Sequence, residues 1–267
     1  MVDMNQRILE VHQELQSIDW IEGCITGSSL LSNQDFNTWA SKPDVDVFVY
    51  SDLNMAMLIE ALLSNGWKFG TDDSQTTSIQ QQELFKKWRK SCQPGRKQEK
   101  LATVKFFKDE IVCNISRKLY CYTMADVLQT FDMSIIMKAK DLHTGIILDL
   151  TTQWGPSDVA VPNPIREVDP GNFNLVDFWI RQFDRCIKYS DRGFDCRKMV
   201  EFYLVQIIKA KARGSIWSSD RAVQYFDGWM EAFQLRYDIM YTWLCERLDE
   251  EEIAALDQRL KEAANGC

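Results

Sequence analysis

The residues that could do chemistry fall within one stretch, Thr26 to Val49. Thr26-Gly27-Ser28-Ser29 follows a short apolar run, Trp20 to Ile25, and Asp44-Val45-Asp46-Val47-Phe48-Val49 follows a polar connection. A β-strand repeats every two residues, so Asp44 and Asp46 project from one face while Val45, Val47 and Val49 enter a core. Two like charges held side by side repel, and a cation between them relieves the repulsion. Hard oxygen ligands beside phosphate suit Mg²⁺. The Gly27-Ser28-Ser29 turn, if it opens a helix, presents unpaired backbone N–H groups to a phosphate chain. Together the two pieces describe a site for a metal-bound nucleoside triphosphate. The competing reading is local: turns favour Gly, Ser and Asp for their own conformational reasons.

The elements that must position these residues can be read from periodicity. Ile8, Leu9, Val11, Leu15 and Ile18 mark a helix over residues 3 to 18. Trp20 to Ile25 and Asp44 to Tyr50 read as strands, with Ser29-Leu30-Leu31 beginning a helix capped by Ser28 or Ser29. Ser51 or Asp52 caps a helix from Leu53 to Asn65, ended by Gly66. A short helix is expected over Gln80 to Ser91 and a turn at Pro94-Gly95. Leu101 to Phe107 and Glu110 to Ser116 read as a hairpin around Lys108-Asp109. Thr123 to Gln129 is a capped helix, and Met133 to Ala139 and Gly145 to Leu150 are further strands. Four prolines and two glycines in 151–172 mark a connection between residues 1–150 and a wholly helical 173–267. The helices there are expected over Asn174 to Tyr189, Cys196 to Arg213, Ser219 to Leu248 (broken near Gly228) and Asp249 to Ala264. The fold class is α+β, a mixed sheet with helices on one side, followed by an all-helical C-terminal domain.

Composition narrows the partners. A hydrophobic content of 45% supports a packed core, and the absence of a long apolar run or an apolar N-terminal segment points to a cytoplasmic protein with no membrane span. The 8 Cys form no Cys-x-x-Cys pair and there are only 2 His, which argues against structural zinc and against Ser/His/Asp or Cys/His catalysis. The net charge of −8 is unevenly spread. Lys86 to Lys118 holds eleven Lys/Arg against three acids, and such a patch on an acidic chain can steer a polyanion to one place. Lys105, Arg117 and Lys118, at the end of that segment, could neutralise phosphate or a nucleic-acid acceptor. Ordinary strand-end charge is the competing reading.

Gly27-Ser28 followed by Asp44-x-Asp46 on a strand resembles the signature of the polymerase-β-type nucleotidyltransferase superfamily, with fifteen residues between Ser28 and Asp44, slightly more than that family's common spacing. Leu128-Gln-Thr-Phe131-Asp132-Met133, Asp149-Leu150-Thr151 and Lys188-Tyr189-x-x-Arg192-Gly193-Phe194, in that order, resemble a set of uncharacterised, viral-type nucleotidyltransferase-like proteins. The resemblance implies a polymerase-β-like core in residues 1–150 and two Mg²⁺ ions held by Asp44 and Asp46. It implies that Gly27, Ser28 and Ser29 hold triphosphate, and that Tyr189 and Arg192 contact the nucleotide. It also implies a third carboxylate on a neighbouring strand. By order that position falls on Ile111-Val112-Cys113-Asn114-Ile115, where the residue of suitable character is Asn114, an amide that can ligate a metal but cannot take a proton. Asp132 is the alternative acid, and a simple helix-to-strand turn residue is its competing reading. The function implied is Mg²⁺-dependent transfer of a nucleoside monophosphate from an NTP to a hydroxyl, with an RNA 3′ end as the candidate acceptor through the basic segment 86–118. The alternative is a catalytically degenerate member of that fold that binds nucleotide, nucleic acid or a protein.

Overall fold

The computed structural model describes residues 3–31, 34–39, 44–70, 102–118, 120–163, 175–212 and 226–265. The helix expected over Gln80 to Ser91, the Pro94-Gly95 turn and most of the basic segment 86–118 lie outside these residues. The chain divides into two compact units, Met1–Phe131 with Ile135–Gln153, and Asp132–Ser134 with Trp154–Cys267.

Among the described residues the first unit holds seven strands: β1 (Gly23–Thr26), β2 (Val45–Val49), β3 (Lys68–Phe69), β4 (Ala102–Lys108), β5 (Ile111–Arg117), β6 (Lys138–Asp141) and β7 (Ile147–Asp149). Their spatial order is β3-β4-β5-β2-β1-β6-β7. Every neighbouring pair is antiparallel except β2 and β5, so the sheet is mixed. Two helices, α1 (Met4–Gln16) and α2 (Asp52–Ser64), supply Ile8, Val11, Leu15, Met55, Leu58, Ile59 and Leu62 to one buried cluster. The sheet supplies Ile25, Val45, Val47, Val49, Phe106, Cys113 and Ile115 to the same cluster. All seven share one face by the pairing register, because directly opposed residues point the same way. The other face of the three central strands therefore receives Thr26, Asp44, Asp46, Asn114 and Ser116.

Local sequence explains the ends of these elements. Asp3 caps α1 by accepting from the Asn5 and Gln6 amides, and Ser51 caps α2 through the Asn54 amide. The β4–β5 hairpin closes on Asp109-Glu110, both with positive φ (47° and 69°), the twist that a two-residue connection demands. A short helix, α3 (Met124–Gln129), starts in a reciprocal capping box between Thr123 and Asp126.

Three expectations are corrected. Ser29-Leu30-Leu31 does not begin an α-helix: Gly27–Leu30 is a single 3-10 turn behind Thr26, and the chain is extended again at Leu31. The strand expected from Met133 begins only at Lys138, after a 3-10 turn at Ser134–Ile136, because the Ser134 amide bonds to the Val161 carbonyl and its hydroxyl to that of Val159. The break expected near Gly228 is absent, and the helix Phe226–Cys245 runs through it.

The second unit is helical, with α4 (Leu175–Ser190), α5 (Arg197–Ala212), α6 (Phe226–Cys245) and α7 (Glu250–Asn265). Met199, Val200, Tyr203, Leu204 and Ile207 of α5 are buried, as are Leu256 and Leu260 of α7. At the start of α7 the Asp249 and Glu252 amides each donate to the other's side-chain carboxylate, and Arg259 pairs with Glu201 at 2.7 Å. No helix among the described residues is long and apolar enough to cross a membrane.

The fully buried Leu58 tests the shared core. Leu58→Ala leaves a cavity beneath the β-sheet and should lower unfolding free energy by about 2–5 kcal/mol, read as a lower urea midpoint at unchanged slope.

Candidate functional site

Asp46 lies opposite Thr26 on β1 and beside Asn114 on β5. The Asn114 side-chain nitrogen donates to Asp46 Oδ1 at 2.9 Å and reaches Asp44 Oδ2 at 3.4 Å. The two carboxylates and the amide thus converge on one spot of the polar face, as the alternation around Val45 predicts. Asn114 is only 9% exposed, and its Oδ1 is buried with no hydrogen-bond partner.

Gly27 closes the other side. It has φ +78°, and a Cβ there would stand 2.4 Å from Asp46 Oδ2. Glycine is required twice over, by the backbone angle and by the carboxylate pressed against it. Ser28 is 5% exposed within the same turn. The Ser29 hydroxyl faces inward, 3.2 Å from His12 Nε2 and 3.5 Å from the Thr26 carbonyl. With one 3-10 turn in place of a helix, the turn offers local amides to an anion and no helix dipole.

His12 is the participant that sequence reading missed. It lies on α1, seventeen positions before Ser29, and nothing in linear spacing pairs the two. Burial, reinforced by the Lys140 charge, holds its imidazole pKa down at about 4, so it is neutral behind the turn.

The other predicted residues divide clearly. Lys105 is exposed and directly opposite Asn114 in the β4–β5 ladder, which puts its Cβ on the polar face about 5 Å from that of Asn114. Arg117 ends β5 and Lys118 follows it, roughly 10–13 Å from Asn114 at the usual strand rise. Arg117 approaches Asp52 at 3.7 Å and the Tyr122 ring, while Lys118 stands over Phe48 and Phe131 and bonds the Thr130 hydroxyl.

Asp132 belongs to the second unit. Its Oδ2 accepts from Arg185 Nη1 at 2.7 Å and from the Tyr203 hydroxyl at 3.3 Å. Burial opposes the Arg185 charge, but the Asp132 carboxylate outweighs it and the guanidinium pKa is pushed up. Tyr189 and Arg192, also in that unit, are buried, with the guanidinium over the ring at 5.5 Å from its centroid. Their segment ends α4: the Arg192 and Phe194 amides return to the Tyr189 carbonyl, and Gly193 takes φ +90°.

The donor set fits a divalent cation: two carboxylates on one face, a buried amide oxygen without a partner beside them, and a glycine corner that leaves room only for a bare backbone. Among the described residues no group of three His, Cys, Asp or Glu side chains gathers into a metal site, and the Asn114 amide oxygen is the further donor beside the two acids.

No protein-family model matches this chain, and no curated protein matches it. Among solved structures it is similar to the Thermotoga maritima CCA-adding enzyme complexed with tRNA, at 15% identity and a TM-score of 0.42, over 82% of this chain and 51% of that one. It is also similar to a tRNA-processing enzyme in an apo form, at 12% identity and a TM-score of 0.43, over 96% of this chain and 74% of that one. The chain thus spans about half the length of the CCA-adding enzyme. Both scores are below 0.5, and the chemistry of this chain rests on its own residues.

Two outcomes test the site. Gly27→Ala must relieve both φ and the carboxylate contact, so it should cost at least about 1–2 kcal/mol in denaturant unfolding and displace Asp46. His12 is neutral when folded and takes a proton near pH 6.5 when unfolded. Stability should therefore fall as pH drops from 6.5 toward 4 and then level off, by on the order of 3 kcal/mol at 1.36 per unit. His12→Gln should flatten that part of a pH–urea series.

Proposed function

We propose that the protein is a divalent-metal-dependent nucleotidyltransferase with a polymerase-β-like core, moving a nucleoside monophosphate from an NTP to a hydroxyl. The observation that carries this reading is the Gly27 backbone pressed against the Asp46 carboxylate, on the face that Asp44 shares. Nothing in packing calls for two acids and a positive-φ glycine at one point of a sheet, whereas a triphosphate and its cation call for all three.

In this reading Asp44 and Asp46 hold Mg²⁺ through their carboxylate oxygens. Such an ion, when bound, draws negative charge from the triphosphate. The amides of the Gly27–Ser28 turn orient the terminal phosphates, and Gly27 lets the backbone come close to them. Lys105, one strand beyond and in register with Asn114, puts a cation on the same face of the sheet. Without a cation, Asn114 keeps the two carboxylates aligned through its N–H groups. Phosphoryl transfer asks for little besides alignment and neutralisation. The eleven cations between Lys86 and Lys118 favour a polyanionic acceptor, and an RNA 3′ end supplies both the charge and the hydroxyl.

One observation favours a second reading, a protein that binds nucleotide without transferring it. The position beside Asp46 on β5 is an amide, and an amide takes no proton from an attacking hydroxyl.

Calorimetric titration of NTP with Mg²⁺ tests the site. Asp44→Asn and Asp46→Asn should each weaken metal-dependent binding by an order of magnitude or more, the scale of a lost charge beside a divalent ion. Unchanged binding in both variants would remove the assignment. Incubation with labelled NTP and pooled RNA separates the two readings: Asp44-dependent label on RNA supports transfer, and nucleotide binding without label supports the binding protein.

A further inference from the structure

We propose that this centre takes one divalent cation, with Asn114 as a neutral third ligand, where the resemblance implies two ions. The inference rests on the reading above that Asp44 and Asp46 hold the metal, and it concerns what their neighbour on β5 allows.

On the polar face β5 presents Val112, Asn114 and Ser116, and Asn114 is the one in register with Asp46. Ser116 is bonded to the Thr103 hydroxyl at 2.9 Å. The charge that the protein's own donors bring to the convergence of Asp44, Asp46 and Asn114 is therefore −2. A second divalent ion at ligand-bridging distance would meet the first with four times the repulsion of two unit charges. A third carboxylate would offset it, and an amide brings no charge to do so. Lys105, directly opposite Asn114, adds a positive charge on the same side.

The amide itself is poised for the neutral role. Its nitrogen now bridges Asp46 Oδ1 and Asp44 Oδ2, and its oxygen is buried with no partner. A half-turn about the last side-chain bond exchanges these two atoms with almost no change of shape. The oxygen then joins the carboxylates around a cation, and the −2 charge of the acids goes wholly to that one ion. A carboxylate at 114 could not bridge its neighbours as a donor, so the protein would need the ion merely to hold the three side chains together.

The test is native mass spectrometry of the full chain with Mn²⁺ and a non-hydrolysable NTP, alongside melting curves with and without Mn²⁺. The native protein should carry one Mn²⁺ per chain at saturation. Asn114→Asp should carry two, melt lower than the native protein in chelator, and gain more than it on adding Mn²⁺. Asn114→Ala should keep one ion at reduced affinity. Two ions on the native chain would overturn the proposal, whether or not the variants fold. One ion on both the native chain and Asn114→Asp would overturn it as well, since the side chain at 114 would not set the count. Native protein that takes neither Mn²⁺ nor nucleotide would instead overturn the reading of Asp44 and Asp46, and the inference with it.

Discussion

The constraint on which the site depends is electrostatic crowding. Asp44 Oδ2 and Asp46 Oδ1 both lie within reach of one amide nitrogen, so they can be no further apart than 6.3 Å, the two bond lengths laid end to end. Two negative charges at that separation repel by about 3 kcal/mol at an effective dielectric of 20. A hydrogen bond to a charged group returns roughly 1.5–3 kcal/mol. The Asn114 amide is thus of the right size to keep the acids together, and a divalent cation exceeds what is needed. Gly27 belongs to the same balance, because any side chain there would have to push Asp46 away from its neighbours.

Register turns this local balance into a site. The β2–β5 pairing, which is parallel, aligns Asp46 with Asn114, and the antiparallel β4 then brings Lys105 across from Asn114. A slip of one residue in either ladder would turn these side chains toward Leu58 and Leu62 and bury charge in the core. The apolar face forbids that slip. The packing of Val45, Val47, Cys113 and Ile115 beneath the helices is therefore what places the polar residues above, and core stability and site geometry are one requirement.

How far the sequence reveals this follows from the range of each interaction. Alternation over Asp44 to Val49 shows two acids on one face, and capping residues mark the starts of α2 and α3, because both signals span a few residues. The mixed sheet with helices α1 and α2 on one side follows from the same patterns. What escapes is set by distant partners. Ser29 resembles a helix cap, but its hydroxyl turns to His12 on another element, and the turn stops after four residues. Asp132 has the chemistry of a third acid, yet Arg185 and Tyr203, more than fifty positions later, claim its carboxylate. The Lys188 to Phe194 segment reads as a binding motif, while its visible work is to end a helix: Gly193 supplies the left-handed angle and the Arg192 guanidinium stands over the Tyr189 ring.

Asn114 shows why fold and chemistry separate. Asparagine and aspartate are almost equal in volume, so the shape of a sheet position does not choose between them. The chemistry does. A carboxylate only accepts, and beside Asp44 and Asp46 it adds a third negative charge that must be neutralised before the strands can sit together. An amide donates to both acids and removes that demand, so the protein holds its site in order without help. The same substitution takes away the group that would accept a proton from an attacking hydroxyl. Order without a cation and a base for the acceptor are thus opposed at residue 114, and this chain carries the residue that secures the first.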